Sequence, residues 1–140
     1  MDAIGLRIVF KKDRIQDLRK AARQGKLPMR TDGWNADYPD GENFMQLLYG
    51  GSVGQENHSR FHLPEFDKLY EAARRLPDSP ERTALFDKMT EIVIAYAPWR
   101  LMEHRIEDHL TQPWVKNYKP HPVRSFVWKY VDVEPVPQKR

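Results

Sequence analysis

The side chains that could do chemistry fall into two groups: five histidines, and a run of carboxylates between Asp32 and Glu42. His104 and His109 are five residues apart, which places them on different faces of either a helix or a strand. His58 and His62 have helical spacing, but they sit in a polar stretch just before Pro64. There is no HExxH pattern, and no cysteine to serve as thiolate ligand, nucleophile or disulfide partner. The segment Asp37–Glu42 has the flavour of a calcium loop. Setting Gly41 at its sixth position, however, puts Ala36 and Tyr38 where the first oxygen ligands belong. The expectation is therefore no bound metal and no cofactor.

Asp32, Asp37, Asp40 and Glu42 could supply a carboxylate pair for acid–base work. Carboxylates are also what turns ordinarily contain, and no serine–histidine pair lies beside them to suggest a nucleophile. No glycine-rich phosphate loop is present. An enzyme is thus not expected.

The stretch Gly33-Trp34-Asn35-Ala36-Asp37-Tyr38-Pro39-Asp40 remains. Its tryptophan and aspartate, three apart on a turn, could form an apolar pocket wall beside a fixed negative charge. Such a site suits a ligand with an ammonium group next to an apolar side chain, because a carboxylate removed from water needs a cation. The plainer alternative makes Trp34 a core residue and Asp37 a turn cap.

The elements that must position this stretch belong to a chain of 140 residues, one domain's worth, 40% hydrophobic and 31% charged. Its mean hydropathy of −0.77 implies much solvated surface. Net charge is +3, yet acids and bases alternate, as in Lys11-Lys12-Asp13-Arg14, so a nucleic-acid-binding stripe is not expected. No stretch is long and apolar enough to span a bilayer. Met1–Phe10 does not read as a signal peptide, since Arg7 interrupts the apolar run and the basic residues follow it; taken alone, this would keep the chain in the cytoplasm.

Leu6–Phe10 reads as a buried strand, Asp13 to about Gln24 as a helix stopped by Gly25, and Pro28–Gly33 as a second extended segment. That is a strand–helix–strand unit, right-handed if the strands are parallel. Glu42–Tyr49 predicts a short helix. Pro64 opens a longer one carrying Phe66, Leu69, Tyr70, Ala73 and Leu76. Ser79 as N-cap and Pro80 at the first helical position open another, with Leu85, Met89, Ile92, Val93 and Tyr96 on its apolar face and Pro98 at its end. Trp99–Met102 and Val127–Val133 read as strands, Pro113-Trp114-Val115 as a turn into an extended segment, and the tail after Pro135 as frayed. The fold class expected is α/β (α+β). The proline-rich, aromatic stretch from Pro113 lacks an obvious sheet to join.

The run from Gly33 to Asp40, followed by Asn43-Phe44, resembles the "GW-x-ADYPDP-x-NF" segment of the bacterial extracellular solute-binding proteins, family 5, which serve oligopeptide, dipeptide and nickel ABC importers. The likeness continues through Leu63-Pro64-Glu65-Phe66-Asp67-Lys68-Leu69-Tyr70, through Arg82 and Leu85, and through Ala97-Pro98-Trp99. It reaches Pro113-Trp114-Val115-Lys116-Asn117-Tyr118 and Trp128-Lys129-Tyr130-Val131-Asp132. It implies part of the C-terminal lobe of a two-lobed, type II periplasmic-binding-protein-like fold over residues 1–112. Residues 113–140 would be an extended return segment whose final strand belongs to the first lobe.

By the same resemblance, Asp37 would pair with a ligand's α-ammonium, Trp34 would line a side-chain pocket, and Tyr38 and Gly33 would complete the site. The implied partners are a peptide or small solute and the ABC permease subunits at the membrane, with a periplasmic location. Two departures stand out. Thr31 occupies a position where some oligopeptide binders carry arginine, and Gly41 replaces the motif's second proline. The alternative is an autonomous interaction module that self-associates through an exposed apolar edge.

Overall fold

The computed structural model describes residues 4–5, 7–10, 12–104, 106–121, 123 and 127–135. The strongest local signals give the centre of the fold. Helix α3, Pro64–Arg75, begins with proline in its first turn, where a missing N–H is harmless. Acidic Glu65 and Asp67 sit in its first turn and basic Arg74 and Arg75 in its last, both matched to the helix dipole. Helix α4, Pro80–Tyr96, has Ser79 as N-cap, with its hydroxyl accepting from the Arg82 N–H at 3.2 Å. It ends at Ala97, which adopts a left-handed conformation (φ 45°), just before Pro98.

These two helices form a hairpin around one small core. Phe66, Tyr70 and Ala73 of α3 and Met89 of α4 are buried together with Leu48. Met45, Phe61, Leu63, Leu85, Phe86, Ile92, Val93 and Trp99 pack around them half-exposed. Leu48 comes from a short helical stretch in which α2, Glu42–Met45, passes into a 3₁₀ turn over Gln46–Leu48. That stretch matches the helix expected from Glu42 to Tyr49.

The chain after Tyr49 is irregular but tightly tied. The Gly50 N–H donates to Asp67 Oδ1 at 2.8 Å, and the other oxygen of Asp67 meets His62 Nδ1 at 3.1 Å. A side chain at Gly50 would meet the ends of both partners' side chains and displace this arrangement. Asn57, fully buried, donates through Nδ2 to the carbonyls of Tyr49 (3.0 Å) and Phe61 (2.8 Å), closing the loop on itself.

Helix α1, Ile15–Arg23, is shorter than expected at its start. Asp13 does not cap it; its carboxylate accepts from the adjacent Arg14 N–H instead. Gly25, at φ +68°, ends the helix as expected. Arg60 Nη2 donates to the Arg23 carbonyl at 2.9 Å and so joins the helix end to the 50–62 loop.

The expected strands fare differently. Residues 7–10 and 28–33 form no strand, and Leu6 lies outside the described residues. Val9 and Phe10 are exposed, and neither segment pairs with a strand among the described residues, without which extended backbone is not a sheet. The strand–helix–strand unit is therefore not formed. Trp99–Met102 is likewise irregular. Strands do occur after Pro113. Two-residue β1, Val115–Lys116, pairs antiparallel with β2, Asp132–Val133, in the register Val115 opposite Val133 and Lys116 opposite Asp132. Trp128, inside the expected Val127–Val133 strand, lies in a 3₁₀ turn over Val127–Tyr130. The last strand thus meets a neighbour in its own segment. The tail after Pro135 lies outside the described residues. Mixed helix with a small sheet is the architecture, compatible with the α/β class.

Because Phe66 is fully enclosed, Phe66→Ala should destabilise the chain by about 3–5 kcal/mol. Ile94→Ala, on the exposed face of α4, should stay within about 0.5 kcal/mol. Urea unfolding of both variants checks the assignment of the core; equal losses would contradict it.

Candidate functional site

The stretch between α1 and α2 has no regular backbone ladder, so side chains must hold it. The central one is Asn43, fully buried in the first turn of α2. Its Oδ1 accepts from the Trp34 indole N–H at 2.7 Å and from the backbone N–H of Asp37 at 3.0 Å. Its Nδ2 donates to Asp37 Oδ2 at 3.2 Å. One amide therefore fixes both residues expected to form the wall and charge of a pocket. Trp34 is half-buried, while Asp37 and Tyr38 are exposed.

The neighbouring carboxylates are occupied. Asp40 Oδ1 accepts from the Glu42 N–H at 2.8 Å and from Arg82 Nη2 at 2.9 Å. That bond to Arg82 holds the Asp40 carboxyl below its ordinary value, against the opposing effect of burial. Arg82 is itself buried, donates through Nε to the Ala73 carbonyl at 3.0 Å, and lies over the Phe86 ring at 4.8 Å. It ties the loop to both long helices. Glu42 accepts from the hydroxyls of Tyr38 and Tyr70 and lies 3.7 Å from Arg74 Nε. The bond to Glu42, followed by burial, pushes the Tyr38 phenol up; burial, followed by the bond to Glu42, does the same for Tyr70. Asp32 pairs with Arg30.

Of the four carboxylates from Asp32 to Glu42, Asp37 alone has no basic partner among the described residues. Its position is nonetheless fixed through Asn43. Gly33 is exposed, with open space around it, so nothing in its packing requires glycine.

A shallow recess of about 360 Å³ lies beside the loop, lined by Tyr38, Glu42, Gln46, Tyr49, Tyr70 and Arg74 among others. Several of its donors are already engaged. Tyr38 and Tyr70 bond to Glu42, Tyr49 donates to Glu71 at 2.9 Å, and Gln46 donates to the Asn43 carbonyl at 3.1 Å. Among the described residues no group of three or more His, Asp or Glu side chains is placed to hold a metal ion.

The chain is 36% identical over 107 residues to heme-binding protein A of Haemophilus influenzae, covering 76% of this chain and 20% of the relative. It is 30% identical over 86 residues to a dipeptide-binding protein of Pseudomonas aeruginosa, covering 61% and 16%. It is 25% identical over 95 residues to the periplasmic oligopeptide-binding protein of Escherichia coli, covering 68% and 17%. The chain is homologous to part of the family 5 solute-binding proteins. It spans about a fifth of the length of these relatives. No protein-family model matches the chain, and no solved structure matches it significantly. These solute-binding relatives are named for binding, and for different ligands: heme, a dipeptide and an oligopeptide.

Asn43 is the site residue that sequence reasoning passed over, though it lies within the stretch that carries the resemblance to the solute-binding family. The signal was its spacing. Position 43 lies four residues before buried Leu47, on the same face of the helical stretch, so its amide had to be enclosed and therefore bonded. Asn43→Ala should cost about 2–4 kcal/mol in urea unfolding, because the Trp34 and Asp37 donors lose their acceptor. Asn43→Asp keeps the acceptor but sets a second carboxylate against Asp37. Its deficit should shrink as pH falls toward about 4, where a protonated carboxyl can donate. A deficit independent of pH would contradict this geometry.

Proposed function

We propose that the complete protein is the substrate-binding component of a peptide-type ABC importer, and that Asp37 receives the ammonium group of its ligand. The observation that carries this reading is the state of Asp37: exposed, fixed by Asn43, and without a basic partner among the described residues, while Asp32, Asp40 and Glu42 are engaged. A carboxylate held in place in advance loses little freedom on binding and offers a cation a defined approach. Trp34 and Tyr38 supply apolar surface beside it, and Gly33 leaves the approach open.

In this reading residues 1–112 contribute to the C-terminal lobe and residues 113–140 form the return segment. The ligand is enclosed between this lobe and a second one, and no bond is made or broken. Closure would remove the ligand from water, so each of its polar groups needs a protein or water partner. The closed form would then dock on permease subunits at the membrane from the periplasmic side, a population shift driven by ligand. The homology to binding proteins supports the class of activity, and the geometry around Asp37 supports the chemistry of recognition.

The test is calorimetric titration of the full-length protein with free-amine peptides and with their N-acetylated counterparts. Asp37→Ala should weaken binding of free-amine peptides by about 2–5 kcal/mol and leave the acetylated ones unchanged. Equal affinity of wild type and variant for free-amine peptides would remove Asp37 from the site. Self-association of the protein without any peptide heat would favour an interaction module instead.

A further inference from the structure

The segment leading into the candidate loop, residues 26–32, is held down by one unusual contact. Arg30 Nη2 lies 2.8 Å from His58 Nδ1, across 28 residues of sequence. A guanidinium can only donate, so His58 Nδ1 must be the bare, accepting nitrogen. The imidazole is then neutral, and its proton resides on Nε2. That nitrogen is buried and has no hydrogen-bond partner among the described residues.

A second proton has to go onto Nδ1, into the space already occupied by the Arg30 N–H. Protonation and the Arg30 contact are therefore mutually exclusive. The charged groups around His58 act mostly in one direction. Arg30 from the segment and Arg23 from α1 oppose a positive imidazole, while Glu56 and, more weakly, the Gln55 backbone from its own loop favour one. Burial opposes it more than either, and His58 accordingly titrates below its ordinary value. Arg30 Nη2 also pairs with Asp32, so its charge keeps a partner when the His58 contact is lost.

We propose that Arg30 and His58 form a pH-sensitive latch that clamps residues 26–32 to the 50–62 loop and opens when His58 takes up a proton. The sign follows from the geometry. The latched state disfavours the proton relative to the open state, so its stability is complete above the ordinary imidazole value of 6.5 and declines as pH falls through the lowered value. Arg60 still holds the end of α1 through the Arg23 carbonyl, so opening frees the stretch after the helix without unfolding it. Gly33 and Trp34 follow directly. The latch therefore sets how firmly the start of the candidate loop is anchored, whatever ligand that loop takes.

The chain has no cysteine, so a single spin label at exposed Met29→Cys reports where this segment lies. At about pH 7.5 the label should broaden the NMR signals of residues 56–59, and at an acidic end point below the lowered value of His58 that broadening should be lost. His58→Gln retains an acceptor for Arg30 but cannot titrate, so broadening should persist at both pH values. Arg30→Gln should abolish it at both. Unchanged wild-type broadening between the two pH values, or a His58→Gln variant that loses it as wild type does, would overturn the latch. A direct measurement on unlabelled wild type covers the case of a misfolded variant. Long-range ¹H–¹⁵N correlation should find the proton of neutral His58 on Nε2, and a proton on Nδ1 would refute the proposal.

Discussion

A fully enclosed side-chain amide must find partners for an oxygen and a nitrogen, and in this chain that requirement falls on Asn43. The oxygen is satisfied by the Trp34 indole and the Asp37 backbone, and the nitrogen by the Asp37 carboxylate. Satisfying Asn43 therefore amounts to placing Trp34 and Asp37. The enclosure of Asn43 depends in turn on the α3–α4 hairpin and the burial of Leu47 and Leu48 in the helical stretch it opens. The small hydrophobic core thus positions the candidate binding residues through one polar contact set.

Arg82 makes the same connection from the other side. Its position on α4 follows from the Ser79–Pro80 start of that helix, and its guanidinium bridges the Ala73 carbonyl of α3 to Asp40 of the loop. Pairing off Asp40 and Glu42 has an electrostatic consequence. It leaves the loop's remaining negative charge concentrated at Asp37, where no cation of the chain neutralises it among the described residues.

The helices were legible because their signals are local. Pro64, Ser79 with Pro80, and Ala97 with Pro98 mark ends through backbone chemistry, and the spacing of Phe66, Tyr70 and Ala73 marks a face. Strands were not, because a strand exists only with a neighbour. Residues 7–10 have the composition of one and no strand to pair with among the described residues, while the short Val115–Lys116 strand exists because Asp132–Val133 lies alongside. Asp13 illustrates a smaller failure, since a carboxylate before a helix can bond to the next N–H instead of capping. At the site, Trp34 and Asp37 stood out by type and spacing. Asn43 did not, because an asparagine near a turn is usually solvated, and only the enclosure of its helix face in three dimensions gives it partners.

The geometry of the candidate site depends on the Trp34 indole being bonded to Asn43 rather than free in solvent. Hydrogen exchange of the Trp34 Nε1 proton, followed by NMR, measures this directly. The structure predicts a resolved, slowly exchanging indole proton with a nuclear Overhauser contact to the Asn43 side-chain amide. Exchange at the rate of a free indole, with no such contact, would contradict the claim that this amide organises the site.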